Sequence, residues 1–469
     1  MDLHLEAGSV EGRRVGLERA LRDAVREGRL APGARLPATR RLAEELGVSR
    51  GTVKAAYDQL IAEGYLTARQ GSGTVVAPLP AAEAEPPEGG TRARAPLFDL
   101  RPGSPDVGAF PAAAWLKAVR RAVATAPVSA YDYGDPLGRM ELRTALAEYL
   151  GRARGVVASP ERIVVTSGAV QGLATSGAVQ GLALLTRVLE GGVFAMEDPG
   201  LPFHRDVVRR GGGRVVPVRV DGLGVCPEDL EAADAVVVTP AHQYPTGVTL
   251  HPSRRRALTD WARARGALVV EDDYDGEFRY DRQPVGALQG MAPGQVVYLG
   301  TASKTLGPAL RLGWMVLPPQ LVGPVADAKL HSDHSTETLG QLALAELIGS
   351  HAYDRHVRAC RIGYRRRRDR LVERLGARWP VQGIAAGLHA LVEVGDEAAV
   401  LARAAAEGLA VGSLREHWHA AGPREGLVVG YGTPREGAYP QALETLVRVL
   451  ELGHRPGPSL GLPIGPPRF

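Results

Sequence analysis

Short apolar runs alternate with longer amphipathic stretches along most of the chain. Five of these runs are rich in β-branched residues and have the length of strands: RIVVTSG, GVFAMED, AVVVTP, ALVVEDD and QVVYLGT. Runs of this kind separated by helical patterns are typical of a largely parallel sheet that is covered on both faces. The pattern therefore predicts an α/β domain from residue 97 onward.

The N-terminal part of the chain has a different pattern, dominated by helical spacing. In TRRLAEELGVSRGTVKAAYDQL, Leu42 and Leu46 lie on one face of a first predicted helix, and Val53 and Tyr57 lie on one face of a second. The short GVS turn between them predicts a helix-turn-helix. We expect Thr39 to be the N-cap of the first helix and Ser49 the N-cap of the second.

The segment YLTARQGSGTVVA follows the second helix and predicts two short strands around a glycine-rich turn, the pattern of a wing. A recognition helix with Arg50, Thr52 and Lys54 near its N-terminus would contact base edges. The alternative is an ordinary helical hairpin with a solvated basic face. The wing favours DNA binding.

Composition marks the domain boundaries. Residues 78–96, PLPAAEAEPPEGGTRARAP, have almost no large apolar side chain and predict a linker. We therefore expect a DNA-binding domain at 1–77, a second domain at 97–455, and a loose Pro/Gly-rich tail at 456–469.

The whole-chain composition is that of a soluble globular protein, with 45% apolar and 23% charged residues. The sequence has neither an apolar run long enough to span a membrane nor a recognisable secretory signal. Cys226 and Cys360 suggest neither a metal-ligand cluster nor a disulfide framework. We expect a cytoplasmic protein with reduced thiols and no membrane partner.

Lysine is rare, which draws attention to each primary amine. Lys304 follows the apolar run VVYLG in TASKTLGPALRLGW, where open α/β sheets bind ligands. The hydroxyls of Thr301 and Ser303 and the guanidinium of Arg311 predict a site for a phosphate dianion. A nearby cation and partial burial would favour a neutral, nucleophilic amine. The alternative is a surface lysine in a loop.

A second polar segment, EDDYDGEFRY, follows another predicted strand. A carboxylate such as Asp272 can pair with a protonated ring nitrogen of a cofactor, and Tyr274 lies beside it in the chain. The alternative is an acidic loop that caps a helix or binds Mg²⁺.

Taken together, the winged-helix pattern, the linker, YDYGDPLG, TPAHQYPTG, EDDYDGEFRY and GTASKTLGPALRLGW resemble the MocR subfamily of GntR-type transcriptional regulators. The resemblance implies a winged helix-turn-helix domain fused to a fold-type I aminotransferase-like domain. That domain would have a mainly parallel sheet and a smaller C-terminal α/β subdomain at about 340–455. It also implies a head-to-tail homodimer that binds operator DNA.

The resemblance also implies the functional residues. Lys304 would form the Schiff base with pyridoxal 5′-phosphate (PLP), Asp272 would pair with the ring nitrogen, and Tyr274 would contact the ring hydroxyl. The phosphate would be bound by Thr301, Ser303, Arg311 and Tyr133, the last reaching over from the partner subunit. The expected DNA contacts are Arg35, Arg40, Ser49, Arg50, Thr52 and the wing near Gly73.

Three positions depart from the usual patterns. Tyr244, a further expected cofactor contact, stands where aminotransferases usually have Asn, and Leu201 stands where an aromatic residue is expected to stack on the ring unless Phe203 substitutes. Arg424 is the nearest candidate for the clamp on a substrate α-carboxylate. A missing clamp removes positioning on which transamination relies, so these departures favour sensing over turnover.

The nonapeptide TSGAVQGLA occurs twice in tandem, at residues 166–183. Ser-Gly-Ala at the start of a helix can bind a phosphate through backbone N–H groups. The second copy keeps its leucines in register with Leu185 and Leu189, which favours Ser176, Gly177 and Ala178 as the phosphate cradle. The alternative cradle is Ser167, Gly168 and Ala169.

Three functional hypotheses follow. The first is a transcriptional regulator that senses PLP, or an amine or amino acid that forms an external aldimine with it. The second is an active PLP-dependent aminotransferase with an appended DNA-binding domain. The third is a DNA-binding protein whose large domain only dimerises.

Overall fold

The computed structural model describes residues 10–69, 73–78, 95–167, 178–230, 232–281 and 285–452. The chain divides into two compact units, Met1–Arg94 and Ala95–Phe469. Each unit has its own apolar core.

The first unit contains three helices and a two-stranded antiparallel sheet. Its elements are α1 (Val10–Arg26), α2 (Thr39–Leu46), α3 (Arg50–Ala62), β1 (Leu66–Arg69) and β2 (Gly73–Val76). The apolar faces of the helices meet in a core that includes Leu17, Leu42, Val53 and Leu60. The predicted helix-turn-helix and wing are both present.

The two N-cap predictions have different outcomes. The Ser49 side chain accepts a hydrogen bond from the backbone N–H of Thr52 at 3.0 Å, so that prediction is confirmed. The prediction for Thr39 is wrong because Thr39 is already the first helical residue of α2 and Ala38 occupies the cap position without a side-chain hydrogen bond. An N-cap hydroxyl accepts a hydrogen bond from a backbone N–H in the first turn of the helix, and a residue already inside that turn does not occupy the position from which it can do so.

The second unit is built on an eight-stranded sheet in the order β4-β11-β10-β9-β8-β5-β6-β7. The strands are β4 (Ile163–Ser167), β5 (Val193–Asp198), β6 (Arg214–Asp221), β7 (Gly224–Val225), β8 (Ala235–Val238), β9 (Leu268–Asp272), β10 (Val296–Thr301) and β11 (Leu312–Val316). The five predicted strands are β4, β5, β8, β9 and β10. The mainly parallel character is confirmed, although β11 runs antiparallel to its neighbours β4 and β10.

Both faces of this sheet are covered. Along β9, Val269 packs into one apolar cluster and Val270 into another, because successive strand residues point to opposite faces. The helices of the second unit are α4 (Ala112–Thr125), α5 (Met140–Arg154), α6 (Ala178–Val188), α7 (Pro202–Arg210), α8 (Pro252–Arg265), α9 (Pro319–Asp333), α10 (Thr338–Gly349), α11 (Ala352–Leu375), α12 (Glu397–Ala406) and α13 (Tyr439–Leu452), of which α12 and α13 pack against a second, smaller sheet.

A smaller five-stranded sheet completes the unit. Its order is β12-β13-β15-β14-β3, with β3 (Phe98–Leu100), β12 (Val381–Gln382), β13 (His389–Glu393), β14 (Leu409–Ser413) and β15 (Gly426–Gly430). Strand β3 comes from the start of the unit and pairs in parallel with β14. The smaller subdomain therefore takes a strand from outside the range 340–455.

Candidate functional site

A cavity of about 560 Å³ lies at the carboxyl ends of β9 and β10. Asp272 is the last residue of β9, and Lys304 follows the end of β10 by three residues. Both side chains line the cavity together with Tyr274 and His204. This edge of a parallel sheet is where α/β folds bind their ligands.

Asp272 is buried without compensation. Its side chain is about 2% exposed, and within the described residues neither carboxylate oxygen has a hydrogen-bond partner. The Nδ1 atom of His204 lies 3.8 Å from Oδ2 of Asp272. Burial raises the pKa of Asp272 to about 8, although the nearby Lys304 opposes that shift. The arrangement leaves an acceptor without a donor in the wall of a cavity.

Lys304 is buried next to this carboxyl group. Its Nζ donates a hydrogen bond to the backbone carbonyl of Gly103. Burial lowers the pKa of the amine, whereas the carboxylates of Asp272 and Asp275 oppose the change. A lowered pKa increases the neutral fraction of the amine, which is the nucleophilic form.

Tyr244 and Tyr274 form another wall, and each is held by a histidine. The Tyr274 hydroxyl donates to the backbone carbonyl of His242 at 3.0 Å, and His242 Nδ1 lies 2.9 Å from a carboxylate oxygen of Asp275. The Tyr244 hydroxyl and His417 Nε2 are 3.0 Å apart. These contacts hold both phenol rings in fixed positions at the cavity.

The expected DNA-contacting side chains of the first unit are mostly exposed to solvent. Arg40, Ser49 and Arg50 are exposed, and Thr52 is half-buried with its hydroxyl 2.9 Å from that of Ser49. Arg35 is also exposed, and its backbone bridges to Val75 in the wing. Gly73 begins β2 with a φ of +87°, a conformation that favours glycine. The arrangement suits contact with an external polyanion.

Comparisons with known proteins agree with both units. Residues 96–421 match the family described as Aminotransferase class I and II, and residues 14–76 match Bacterial regulatory proteins, gntR family. The pyridoxine biosynthesis transcriptional regulator PdxR of Corynebacterium glutamicum is 34% identical, with 93% of this chain and 96% of that protein covered. The probable rhizopine catabolism regulatory protein MocR of Rhizobium meliloti is also 34% identical, covering 89% of this chain and 90% of that protein.

The chain belongs to the MocR subfamily of GntR-type transcriptional regulators. Its large unit also resembles the kynurenine aminotransferase of Pyrococcus horikoshii, with a TM-score of 0.69 and 24% identity over 77% of this chain and 93% of that one. That likeness concerns the fold alone. In the part of the chain that the structure describes, we find no helix long and apolar enough to cross a membrane.

A GntR-type domain implies DNA binding by this MocR-type regulator, and an aminotransferase-class domain implies dependence on PLP. The cavity residues fit that cofactor. The unpartnered Asp272 carboxylate suits a protonated ring nitrogen, and Lys304 supplies a buried primary amine beside it. The fit therefore rests on the chemistry of both groups.

The expected phosphate ligands are the hydroxyls of Thr301 and Ser303 and the guanidinium of Arg311. Thr301 and Ser303 are buried, and the Thr301 hydroxyl donates to the Ser303 hydroxyl at 2.9 Å. Arg311 is exposed and has a left-handed backbone with a φ of +57°. None of these three is among the described residues that line the cavity.

Part of the duplicated segment lies outside the described residues, including Gly168, Ala169, Ser176 and Gly177. Ser167 ends β4, and its backbone N–H donates to Gln180 Oε1 at 2.6 Å. Ala178 begins α6. The choice between the two proposed cradles therefore remains a prediction.

The remaining site candidates occupy different environments. Tyr133 is 84% exposed, and its ring centroid lies 4.9 Å from that of His334. Leu201 and Phe203 both line the cavity. Arg424 is at the surface, where it pairs with Glu393, and it does not belong to the described cavity lining.

The cavity residues that sequence reasoning missed include one arginine and three histidines: Arg101, His204, His389 and His417. The three histidines are buried, and burial lowers the pKa of His204 and of His417 to about 4. Burial, and after it the neighbouring His242, lowers the pKa of His389 well below its usual value. No motif marks these positions because they come from segments that only the fold brings together.

Proposed function

We propose that this regulator binds PLP in the cavity at the ends of β9 and β10. In this proposal the cofactor, or an amine that exchanges with Lys304 on it, changes the affinity of the protein for operator DNA. The observation that carries the proposal is the buried Asp272 carboxylate, which has no hydrogen-bond partner in the described residues and lies beside the buried Lys304 amine.

PLP supplies an aldehyde that condenses reversibly with primary amines and a ring that withdraws electrons. Lys304 would hold the cofactor, since it is the lysine whose amine lines the cavity. Asp272 would accept a hydrogen bond from the ring N–H, which relieves its uncompensated burial. Tyr274 and Tyr244 would contact the ring from the wall that His242 and His417 position.

The phosphate would lie against Thr301, Ser303, Arg311 and one Ser-Gly-Ala copy at the start of α6. Backbone N–H groups at a helix N-terminus favour such an anion. Tyr133 would approach from the partner subunit of a head-to-tail homodimer. Its exposure supports this role, because Tyr133 and its chain neighbours Val128 and Tyr131 are all exposed and a partner subunit would cover them.

The winged helix would contact operator DNA through Arg35, Arg40, Ser49, Arg50, Thr52 and the wing near Gly73. A homodimer would present two such domains to two half-sites. A ligand then regulates transcription if it binds more tightly to one arrangement of the dimer than to another. The relative PdxR is named as a regulator of pyridoxine biosynthesis, which supports the cofactor itself as one signal.

A second candidate function is turnover as an aminotransferase. The observation that favours it is the presence of both Lys304 and Asp272 in the cavity, the pair that PLP chemistry requires. The position of Arg424 outside the cavity weighs against it, because that residue is the clamp candidate from the sequence. Full-rate conversion of any amino acid and keto acid pair in a coupled assay would show that the protein acts as an aminotransferase rather than as a sensor.

Lys304→Ala tests the leading proposal. The variant should lose the absorbance of lysine-bound cofactor and the PLP-dependent change in DNA affinity, and it should retain the DNA affinity measured without PLP within about two-fold. Lys117→Ala, which removes an exposed lysine, is the matched control.

Borohydride reduction followed by peptide mapping gives an independent measurement, since the chain has only four lysines to distinguish. Label at Lys304 is the expected result. Label elsewhere, or an unchanged PLP response in Lys304→Ala, would overturn the proposal.

A further inference from the structure

The segment that follows β3 brings an arginine to the cavity beside Lys304. Gly103 accepts the hydrogen bond from Lys304 Nζ, and Arg101 lines the same cavity two residues earlier. The backbone here is firmly placed. Residues of β3 pair with β14, and the Thr433 hydroxyl donates to the Arg101 carbonyl at 2.6 Å. The arginine therefore projects from a rigid part of the smaller subdomain.

The guanidinium of Arg101 is oriented by one carboxylate. Its Nε donates to Asp99 Oδ1 at 3.0 Å and its Nη2 donates to Asp99 Oδ2 at 2.7 Å. A guanidinium has five N–H groups, so this contact uses one edge and leaves the edge formed by Nη1 and Nη2 for another acceptor. The side chain is 57% accessible. Such an edge matches a carboxylate through two parallel hydrogen bonds.

The other basic groups near the cavity are less suited to an anion. Arg101 and Lys304 are the two Arg or Lys residues in the described lining. Arg205 is close by, but it donates to the backbone carbonyls of His417 and Glu416 at 2.9 and 3.3 Å. The buried histidines of the wall have lowered pKa values and are therefore neutral at pH 7.

We propose that Arg101, oriented by Asp99, binds the carboxylate of an amino-acid effector whose amine exchanges with Lys304. This inference rests on the proposed function, because it uses the same cavity with its cofactor in place. It assigns the effector to the class of compounds that carry both a primary amine and a carboxylate. It also replaces Arg424 as the residue that recognises that carboxylate.

The acidic side chains around the cavity further restrict the class of effector that it can bind. Besides Asp99, the lining contains Asp206 and Glu416, both exposed. The charge of Glu416 reaches inward far enough to help raise the pKa of the buried Tyr244 hydroxyl, after the larger effect of burial. A second carboxylate on the effector would meet like charges there. The wall therefore favours a monocarboxylic amino acid over a dicarboxylic one.

The test compares amino acids with amines that lack only the carboxylate. Full-length protein loaded with PLP is titrated with glycine against methylamine, and with β-alanine against ethylamine, while the cofactor absorbance is followed. In wild-type protein at least one amino acid should bind roughly ten-fold or more tightly than its matched amine. Aspartate should bind more weakly than the preferred monocarboxylic ligand.

Arg101→Ala and the milder Arg101→Gln should abolish this preference and leave the absorbance of bound PLP intact. Asp99→Asn should reduce the preference several-fold, because the guanidinium loses its orientation. Arg374→Ala is the matched control, since Arg374 pairs with Glu444 through the same Nε and Nη2 atoms at the surface. It should leave both readouts unchanged.

Two kinds of failure are distinguishable. Equal affinity for amino acids and matched amines in wild type, or an unchanged preference in both Arg101 variants, would overturn the role of Arg101 while PLP remains bound through Lys304. Absence of lysine-bound cofactor in wild-type protein would overturn the proposed function itself. A response that survives in Arg101→Gln but is lost in Arg374→Ala would likewise contradict the assignment.

Discussion

The winged-helix unit and the cavity of the large unit present their polar side chains in opposite ways. Arg40 and Arg50 lie on neighbouring helices and are exposed to solvent. Asp272 and Lys304 come from separate strand ends and are buried, with their pKa values shifted. Exposed charges contribute little to stability, whereas buried ones couple ligand binding to stability and pH.

This contrast makes the two regions separable by mutation. A substitution in the recognition helix should change DNA affinity alone. A substitution at the cavity should change ligand binding, and at Asp272 it should change the stability of the protein as well.

The largest effect is expected for Arg50→Ala. Loss of a base-contacting arginine should weaken operator binding by about 1–3 kcal/mol and relax sequence preference at that position. Measured by fluorescence anisotropy at fixed salt, the change should leave PLP affinity unaltered. Arg29→Ala, which removes an exposed arginine paired with Glu27, is the control. A parallel loss of PLP binding in Arg50→Ala would contradict the expectation that mutations change DNA binding and cofactor binding independently.

Asp272→Asn should reveal the cost of the buried carboxyl group in cofactor-free protein. The pKa of Asp272 is raised in the folded state to about 8. The protonated carboxyl group therefore contributes to the free energy of unfolding in full below pH 4, and this contribution is lost as the pH rises toward 8. The amide does not ionise and avoids this loss. We expect the variant to be more stable than wild type at pH 8, by on the order of 1–3 kcal/mol.

Denaturant unfolding of both proteins between pH 5 and pH 9 measures this difference. The difference in the free energy of unfolding between Asp272→Asn and wild type should become smaller as the pH falls. A constant difference across that range would show that the carboxyl group does not titrate as its surroundings indicate.

Removing one copy of the nonapeptide should have a smaller effect. If the additional residues between β4 and α6 crowd the phosphate, deletion of residues 166–174 should tighten PLP binding several-fold. The DNA affinity without PLP should not change. An unaltered PLP affinity would show that the duplicated segment does not crowd the cofactor.

The smallest effect is expected for Arg424→Ala. This surface residue pairs with Glu393, and its loss should change neither PLP binding nor the response to amino acids by more than about two-fold. Titration of the loaded variant alongside Arg101→Ala compares the two arginines directly. Loss of the amino-acid response in Arg424→Ala would show that Arg424, the candidate from the sequence, recognises the carboxylate.

Sequence patterns predicted several local features of the structure correctly. The helix-turn-helix, the wing and five strands of the large sheet are all periodic over a few residues, and Ser49 caps its helix as expected. The same patterns did not predict β11 between β4 and β10, because its residues Leu312–Val316 overlap the segment TASKTLGPALRLGW, whose polar residues point to a cofactor site rather than to a strand. The cap assigned to Thr39 failed by one position, a common uncertainty at helix ends.

What the sequence determined by itself is the pair of domain types and the residues that carry distinctive chemistry, Lys304 and Asp272, since a rare lysine and an acidic strand end are visible without neighbours. What only the tertiary structure decided is which charges share the cavity. The sequence points to Arg424 and not to Arg101, but β3 joins the smaller sheet and brings Arg101 to the cavity that Lys304 lines, whereas Arg424 pairs with Glu393 at the surface. Proximity between residues distant in sequence depends on strand pairing, which no local pattern encodes.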